Sequence, residues 1–165
     1  MATKTKRTFD TRVDIPEESR EKLVELLNAR LADSLDLYSQ LKQAHWNVKG
    51  SDFIQLHTLY DGIAERVLEY VDEIAERATA LGGLALGTVR MATEVSTLDE
   101  YPEDAIAGMD TVAAIADRLG AYGANVRAAI DTAVELEDQD TADLFTEVSR
   151  AIDKDLWFVE AHLQT

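Results

Sequence analysis

His45-Trp46-Asn47-Val48-Lys49-Gly50-Ser51-Asp52-Phe53-Ile54-Gln55-Leu56-His57, residues 45–57, is the stretch on which the reading of the fold depends. Gly50 divides it. Upstream, Leu23, Leu26, Leu27, Ala29, Leu31, Leu35, Tyr38, Leu41 and Ala44 recur at three- and four-residue steps. Downstream, Phe53, Leu56, Tyr60, Ile63, Ala64, Val67, Val71, Ile74 and Ala78 do the same. The spacing predicts one helix from Glu17 to Asn47 or Val48, opened by Pro16-Glu17-Glu18, where early acids suit the helix dipole. A second helix follows at once, with Ser51 or Asp52 as its cap, and ends at Gly82-Gly83. So short a connection forces the two helices antiparallel.

Working outward, residues 84–102 are less regular, with a short helix predicted near Val89-Arg90-Met91-Ala92-Thr93. A third long helix is predicted from Ala105 to Glu137. A fourth runs from near Asp140, where Asp140-Thr141-Ala142-Asp143 reads as a capping box, to about His162. No strand-like alternation competes. The predicted fold class is therefore all-α: a ferritin-like four-helix bundle with one long crossover and a short helix in the connection between helices two and three. Residues 17–165 form this single domain, and residues 1–16 a flexible, mildly basic N-terminal arm.

The chain has no cysteine, which removes disulfides, thiolate metal sites and cysteine nucleophiles. Neither a secretory-type apolar stretch nor a run long enough to span a membrane is present, so a cytoplasmic protein without membrane partners is expected. The net charge is −16. Lys4, Lys6, Arg7 and Arg12 against Asp10 give the arm +3 over residues 1–12, which leaves −19 on the rest. Such a body repels nucleic acid and attracts cations.

The chemistry-bearing residues gather around the first turn: His45 at the end of helix one, then His57, Asp61, Asp72 and Glu76 on helix two. Histidines with carboxylates suit a divalent ion of intermediate hardness, Fe(II), Mn(II) or Zn(II). Phosphate-cradling loops and nucleophile elbows are missing. So is an intra-bundle di-iron pattern, because no histidine has a Glu three residues earlier. On a helix, the four helix-two residues share one face of roughly 100°. His57 and Asp72 nevertheless lie about 22 Å apart along it, too far for one ion. The pairs His57/Glu76 and Asp61/Asp72 are each centred on the point between Arg66 and Val67. An antiparallel copy of the helix about a two-fold axis there sets His57 level with the mate's Glu76, and Asp61 with the mate's Asp72. A shared site is predicted: His45, His57 and Asp61 from one subunit, Asp72 and Glu76 from the other. Taken singly, each acid would read as part of a solvated face.

The segment 45–57, with Asp61, Asp72 and Ala75-Glu76-Arg77, closely resembles the signature of the Dps family. Asp153-Lys154-Asp155-Leu156-Trp157-Phe158 is similar to that family's last-helix motif, and the resemblance runs from about residue 17 to the end. It implies a miniferritin: a hollow dodecamer built from two-fold dimers that oxidises Fe(II) with hydrogen peroxide or dioxygen and stores ferric mineral. It also makes His45, His57, Asp61, Asp72 and Glu76 the ferroxidase ligands, with Zn(II) or Mn(II) as alternative occupants.

Trp46 and Trp157 are read as electron donors or as core packing, and Arg77 as an orienting residue that pairs with Asp153. Asp138, Asp143 and Glu147 are candidates for an acidic pore that admits iron, with Asp140 as a helix cap. His162 reads as a surface residue. The alternative function is a DNA-compacting, nucleoid-associated protein, supported by the basic arm and opposed by the acidic body.

Overall fold

The computed structural model describes residues 7–164. Among them the elements are α1 (Glu17–Asn47), α2 (Phe53–Ala80), α3 (Val89–Val95), α4 (Gly108–Glu135) and α5 (Gln139–Glu160), with no strand. Helices α1 and α2 form one antiparallel hairpin and α4 and α5 a second; α1 packs on α4, and the short α3 lies against α1. The expected bundle with one long crossover is the observed fold.

Each boundary has a local cause. Pro16 is extended (φ −53°, ψ 143°) and hands over to Glu17 and Glu18 in the first turn of α1. At the far end Gly50 adopts φ +121°, a region open to glycine at little cost. Neither Ser51 nor Asp52 caps α2 as expected. Ser51 donates to the Asp52 carboxylate at 3.0 Å, and Asp52 lacks the extended backbone from which a side chain reaches back to the helix.

Helix α4 starts at Gly108, three residues after the expected Ala105. Lys49, in the α1–α2 turn, takes the backbone there: its N–H donates to Ile106 O at 2.9 Å and its carbonyl accepts from Gly108 N at 3.0 Å. The tie locks the turn that carries the histidines to the start of the second hairpin. For α5 the cap is Asp138 rather than Asp140. Asp138 is extended (φ −109°, ψ 90°), and its carboxylate accepts from Thr141 N at 3.1 Å.

The core is a continuous apolar cluster along α1, α2, α4 and α5, with Tyr60, Tyr122 and Phe145 among its largest fully buried side chains. Both tyrosines have hydroxyl partners. Tyr60 meets Thr111 at 2.9 Å, and Tyr122 donates to Ser34, which itself donates to Arg30 O. Burial pushes the Tyr60 phenol up to about 12.

A polar seam fastens the crossover. Fully buried Asp33 accepts from Thr97 N at 2.8 Å, Thr97 Oγ1 at 3.2 Å and Asn125 Nδ2 at 3.3 Å, and pairs with Arg30 at 2.9 Å. Gln40 then donates to Asp99 O at 3.0 Å and accepts from Arg118.

Of the arm expected over residues 1–16, Lys4 and Lys6 lie outside the described residues. From Phe9 onward it is fastened along the opposite end of the first hairpin. Phe9 N donates to Gly82 O at 2.8 Å, and Arg20 clamps Ile15 O at 3.0 Å and Leu81 O at 3.1 Å. Val13 and Ile15 pack on the core.

Candidate metal centre

The turn sets the last turn of α1 against the first turn of α2, and this brings the two histidines into reciprocal contact. His45 Nδ1 donates to His57 O at 2.7 Å, and His57 Nδ1 donates to His45 O at 2.7 Å. Their rings stack, with centroids 3.7 Å apart and planes 20° from parallel. Phe53 closes on His57 at 5.1 Å. Because a carbonyl only accepts, each Nδ1 must carry a proton, so in the neutral ring the lone pair is on Nε2. That tautomer is the one a metal-ligating imidazole needs, held by the outer hydrogen bond.

Asp61 lies one turn beyond His57, with its carboxylate 3.9 Å from His45 Nδ1. The Lys42 ammonium bonds it at 2.5 Å. This bond holds the Asp61 carboxyl below the usual carboxylate range against a smaller opposing effect of desolvation, and the two imidazoles add to the lowering. Lys42 also sits 5.9 Å from the Trp46 ring centroid. Sequence reasoning passed over Lys42, although it stands three residues before His45 on the same helix face.

Asp72 and Glu76 are exposed on α2 and do not converge with the histidines in one subunit. Among the described residues, no group of three or more metal-ligating side chains could hold an ion by itself. The neighbourhood of Asp72 is strongly acidic. Glu73 has its carboxyl raised by burial first, then by Glu147, Glu69 and Asp72.

Arg77 pairs with Asp138 at 2.7 Å and donates to Thr141 at 2.9 Å, not to Asp153 as expected; Asp153 is taken by Arg127. Asp138 is thus buried, at 2% exposure, in the subunit's own packing. This corrects its reading as a pore residue within the subunit: its oxygens serve a cap and an arginine. Asp143 and Glu147 are exposed.

Trp46 and Trp157 are 62% and 60% exposed, which overturns the core-packing reading within one subunit. Trp157 and Phe158 border a small apolar pocket with Leu59 and Gln55. His162 is exposed, its Nδ1 directed at Phe158 O at 2.9 Å. One pair was not anticipated: Arg66, beside the expected two-fold point, bonds the buried Asp155 of α5 through Nη2 and Nε. Its only signal in the sequence is Asp155 itself, an acid on the inward face of an amphipathic helix.

Among the described residues, no helix is long and apolar enough to cross a membrane. The family model described as a ferritin-like domain matches residues 24–165. A DNA protection during starvation protein of Agrobacterium fabrum is 40% identical over 158 residues, covering 96% of this chain and 98% of that relative. Among solved structures, Mycobacterium smegmatis Dps superposes with a TM-score of 0.90 at 31% identity, covering 96% and 95% of the two chains. DpsA14 from Streptomyces coelicolor does so with 0.91 at 32% identity, covering 97% and 95%.

Proposed function

The chain belongs to the Dps proteins within the ferritin-like family, and from that premise we propose that it is an inter-subunit ferroxidase and iron store. The observation that carries the reading is the reciprocal lock of His45 and His57. It leaves both Nε2 atoms free for a metal on rings next to Asp61, whose Oδ1 is 3.9 Å from His45 Nδ1, on a helix face whose other acids, Asp72 and Glu76, stand at two-fold-related positions. His45, His57 and Asp61 of one subunit, with Asp72 and Glu76 of its mate, bind Fe(II) as substrate.

In the proposed reaction two Fe(II) ions each give one electron to hydrogen peroxide. The O–O bond breaks, and the two oxygens take up two protons and leave as water. Dioxygen is the alternative oxidant. The imidazoles supply neutral nitrogen donors, and the carboxylates offset the charge that rises as iron becomes ferric. Consuming both electrons at one site keeps one-electron products out of solution. The two-fold dimers build a hollow dodecamer in which ferric mineral collects, and Asp143 and Glu147 line the acidic pores that admit iron. Zn(II) and Mn(II) fit the same donors and act as competitors.

Anaerobic Fe(II) loading followed by peroxide, read as ferric absorbance, tests the proposal. Wild type oxidises iron far faster than buffer, and the ferric product co-elutes with a large assembly. Asp72→Ala/Glu76→Ala loses both properties. A wild-type rate equal to buffer refutes the ferroxidase.

The relatives' names speak of DNA protection, and a second reading is that this chain protects DNA by binding it. Arg7 and Arg12 are exposed and available to phosphates, though the chain's charge of −16 opposes contact. A gel shift at physiological salt decides it: no retardation means no compaction.

A further inference from the structure

Helix α2 runs from Phe53 to Ala80, so its midpoint is the point between Arg66 and Val67 about which its proposed ligands pair. An antiparallel mate about that point sets the start of its own α2 level with the end of this one. The mate's α1–α2 turn then stands beside Leu81, Gly82 and Gly83, where the subunit has a cavity of about 610 Å³. Its walls include Val24 of α1, Leu84, Leu86 and Val95 of the crossover, and Phe9 of the N-terminal segment; all but Val24 are exposed apolar side chains. We propose that this cavity is the socket for the mate's Trp46, which makes the segment beginning at Phe9 part of a clamp on the mate's metal-bearing turn. This rests on the two-fold pairing in the ferroxidase reading above.

Level and face agree. Within one subunit His45 meets His57 and Lys42 meets Asp61, which puts the midpoint of α2 beside Asp36 of α1. Trp46 lies as far past Asp36 as Leu26 lies before it, so the mate's Trp46 arrives level with Leu26, between Val24 and Asn28. Val24 and Lys42 are separated by about five full helical turns, as are Asn28 and Trp46, so all four project from one flank of α1. It is the flank from which Lys42 reaches the metal face of α2. Asn28 fixes the crossover wall of the socket, donating to Leu84 O at 2.9 Å and accepting from Leu86 N at 2.7 Å. The N-terminal wall is fixed by Phe9 N on Gly82 O at 2.8 Å and by Thr11 Oγ1 on Ala80 O at 3.4 Å. A large rigid indole, exposed in one subunit, fits such an apolar recess, and the rim matches in charge: Glu17 and Glu21 stand at the end reached by the mate's exposed Lys49.

The chain has no cysteine, so introduced thiols report the contact directly. Within one subunit Leu84, held beside Asn28, stands about 27 Å from Trp46 along α1, far beyond the reach of a disulfide. Trp46→Cys/Leu84→Cys should therefore give a covalent dimer on mild oxidation that reduction reverses, while each single variant stays monomeric on a denaturing gel. A second measurement keeps the indole in place. In Trp157→Phe the one remaining tryptophan is Trp46. Its quenching by acrylamide should be at least about twofold weaker than in the same protein carrying Phe9→Ala/Leu84→Ala, at equal oligomer size in light scattering. An oligomer of wild-type size that forms no disulfide between positions 46 and 84, or quenching unmoved by the socket variant, overturns the inference and leaves the ferroxidase standing. A chain that stays monomeric throughout overturns the two-fold pairing, and both readings with it.

Discussion

The smallest unit of the proposed chemistry is an imidazole with its outer hydrogen bond. Each histidine here orients the other through a carbonyl, so removing one ring loosens its neighbour as well as deleting a ligand. His57→Ala is expected to lower Zn(II) affinity by at least about 100-fold in titration calorimetry. Trp46→Phe, at an exposed position with no ligating atom, should change it little. Asp138 illustrates a residue whose role is structural. Burial pulls its carboxyl upward, but hydrogen bonds from Arg77 and Thr141 outweigh this and leave it below its ordinary 3.8. A carboxyl lowered on folding contributes stability that is present above its unfolded pKa and lost as pH falls through the folded value. Asp138→Asn should therefore destabilise by about 2–3 kcal/mol at neutral pH, because it leaves Arg77 without its anion. The difference from wild type should shrink as pH drops below 3.8, measured by urea unfolding at neutral and acid pH.

Among the elements, the crossover is the part held by side chains rather than by its own backbone ladder. Fully buried Asp33 accepts bonds from Thr97 and Asn125 at the surface and carries the charge of half-buried Arg30. Asp33→Ala leaves half-buried Arg30 without its anion and the Thr97 amide without its acceptor, and should cost about 3–5 kcal/mol, with faster hydrogen exchange at the Thr97 amide before the rest of the chain responds. Tyr122→Phe loses one bond of a pair whose serine still has Arg30 O, and should cost only about 1 kcal/mol. At the opposite end of the first hairpin, Gly82 has φ +85°, and a Cβ there would stand 2.5 Å from Phe9 O. Gly82→Ala is expected to release the segment beginning at Phe9. Limited proteolysis near residue 9 should report it.

For the whole molecule the question is what a second copy adds. The donors of the proposed site are divided along α2, so a mixture of His57→Ala and Glu76→Ala subunits is diagnostic. Each variant alone should lack fast oxidation. Refolding the two together should restore part of the wild-type rate, because in a mixed dimer one site collects both defects and the other none. A mixture no faster than its components sinks the shared site. Leu68, exposed at 46% near the centre of the same face, offers a second route. Leu68→Glu should lower the oligomer size in light scattering while helicity is kept.

The helices, the hairpin turn and the common face of His57, Asp61, Asp72 and Glu76 were legible in the sequence, since a helical period is set by residues three and four apart. The symmetry about Arg66 and Val67 was legible for the same reason. Pairing was not. Lys42 meets Asp61 across 19 positions, Arg77 meets Asp138 across 61, and Arg66 meets Asp155 across 89. Such partners depend on where distant segments land. The start of α4 was displaced by Lys49, a residue of another turn, and the cap of α5 went to the acid whose backbone was extended. The exposure of Trp46 and Trp157 likewise depends on packing, because an aromatic at a helical position fits a core and an interface equally well in one dimension. Helical period alone tells which residues share a face, whereas which charges meet is set by where distant segments of the folded chain land, because an exposed or buried charge is neutralised by whatever lies near it.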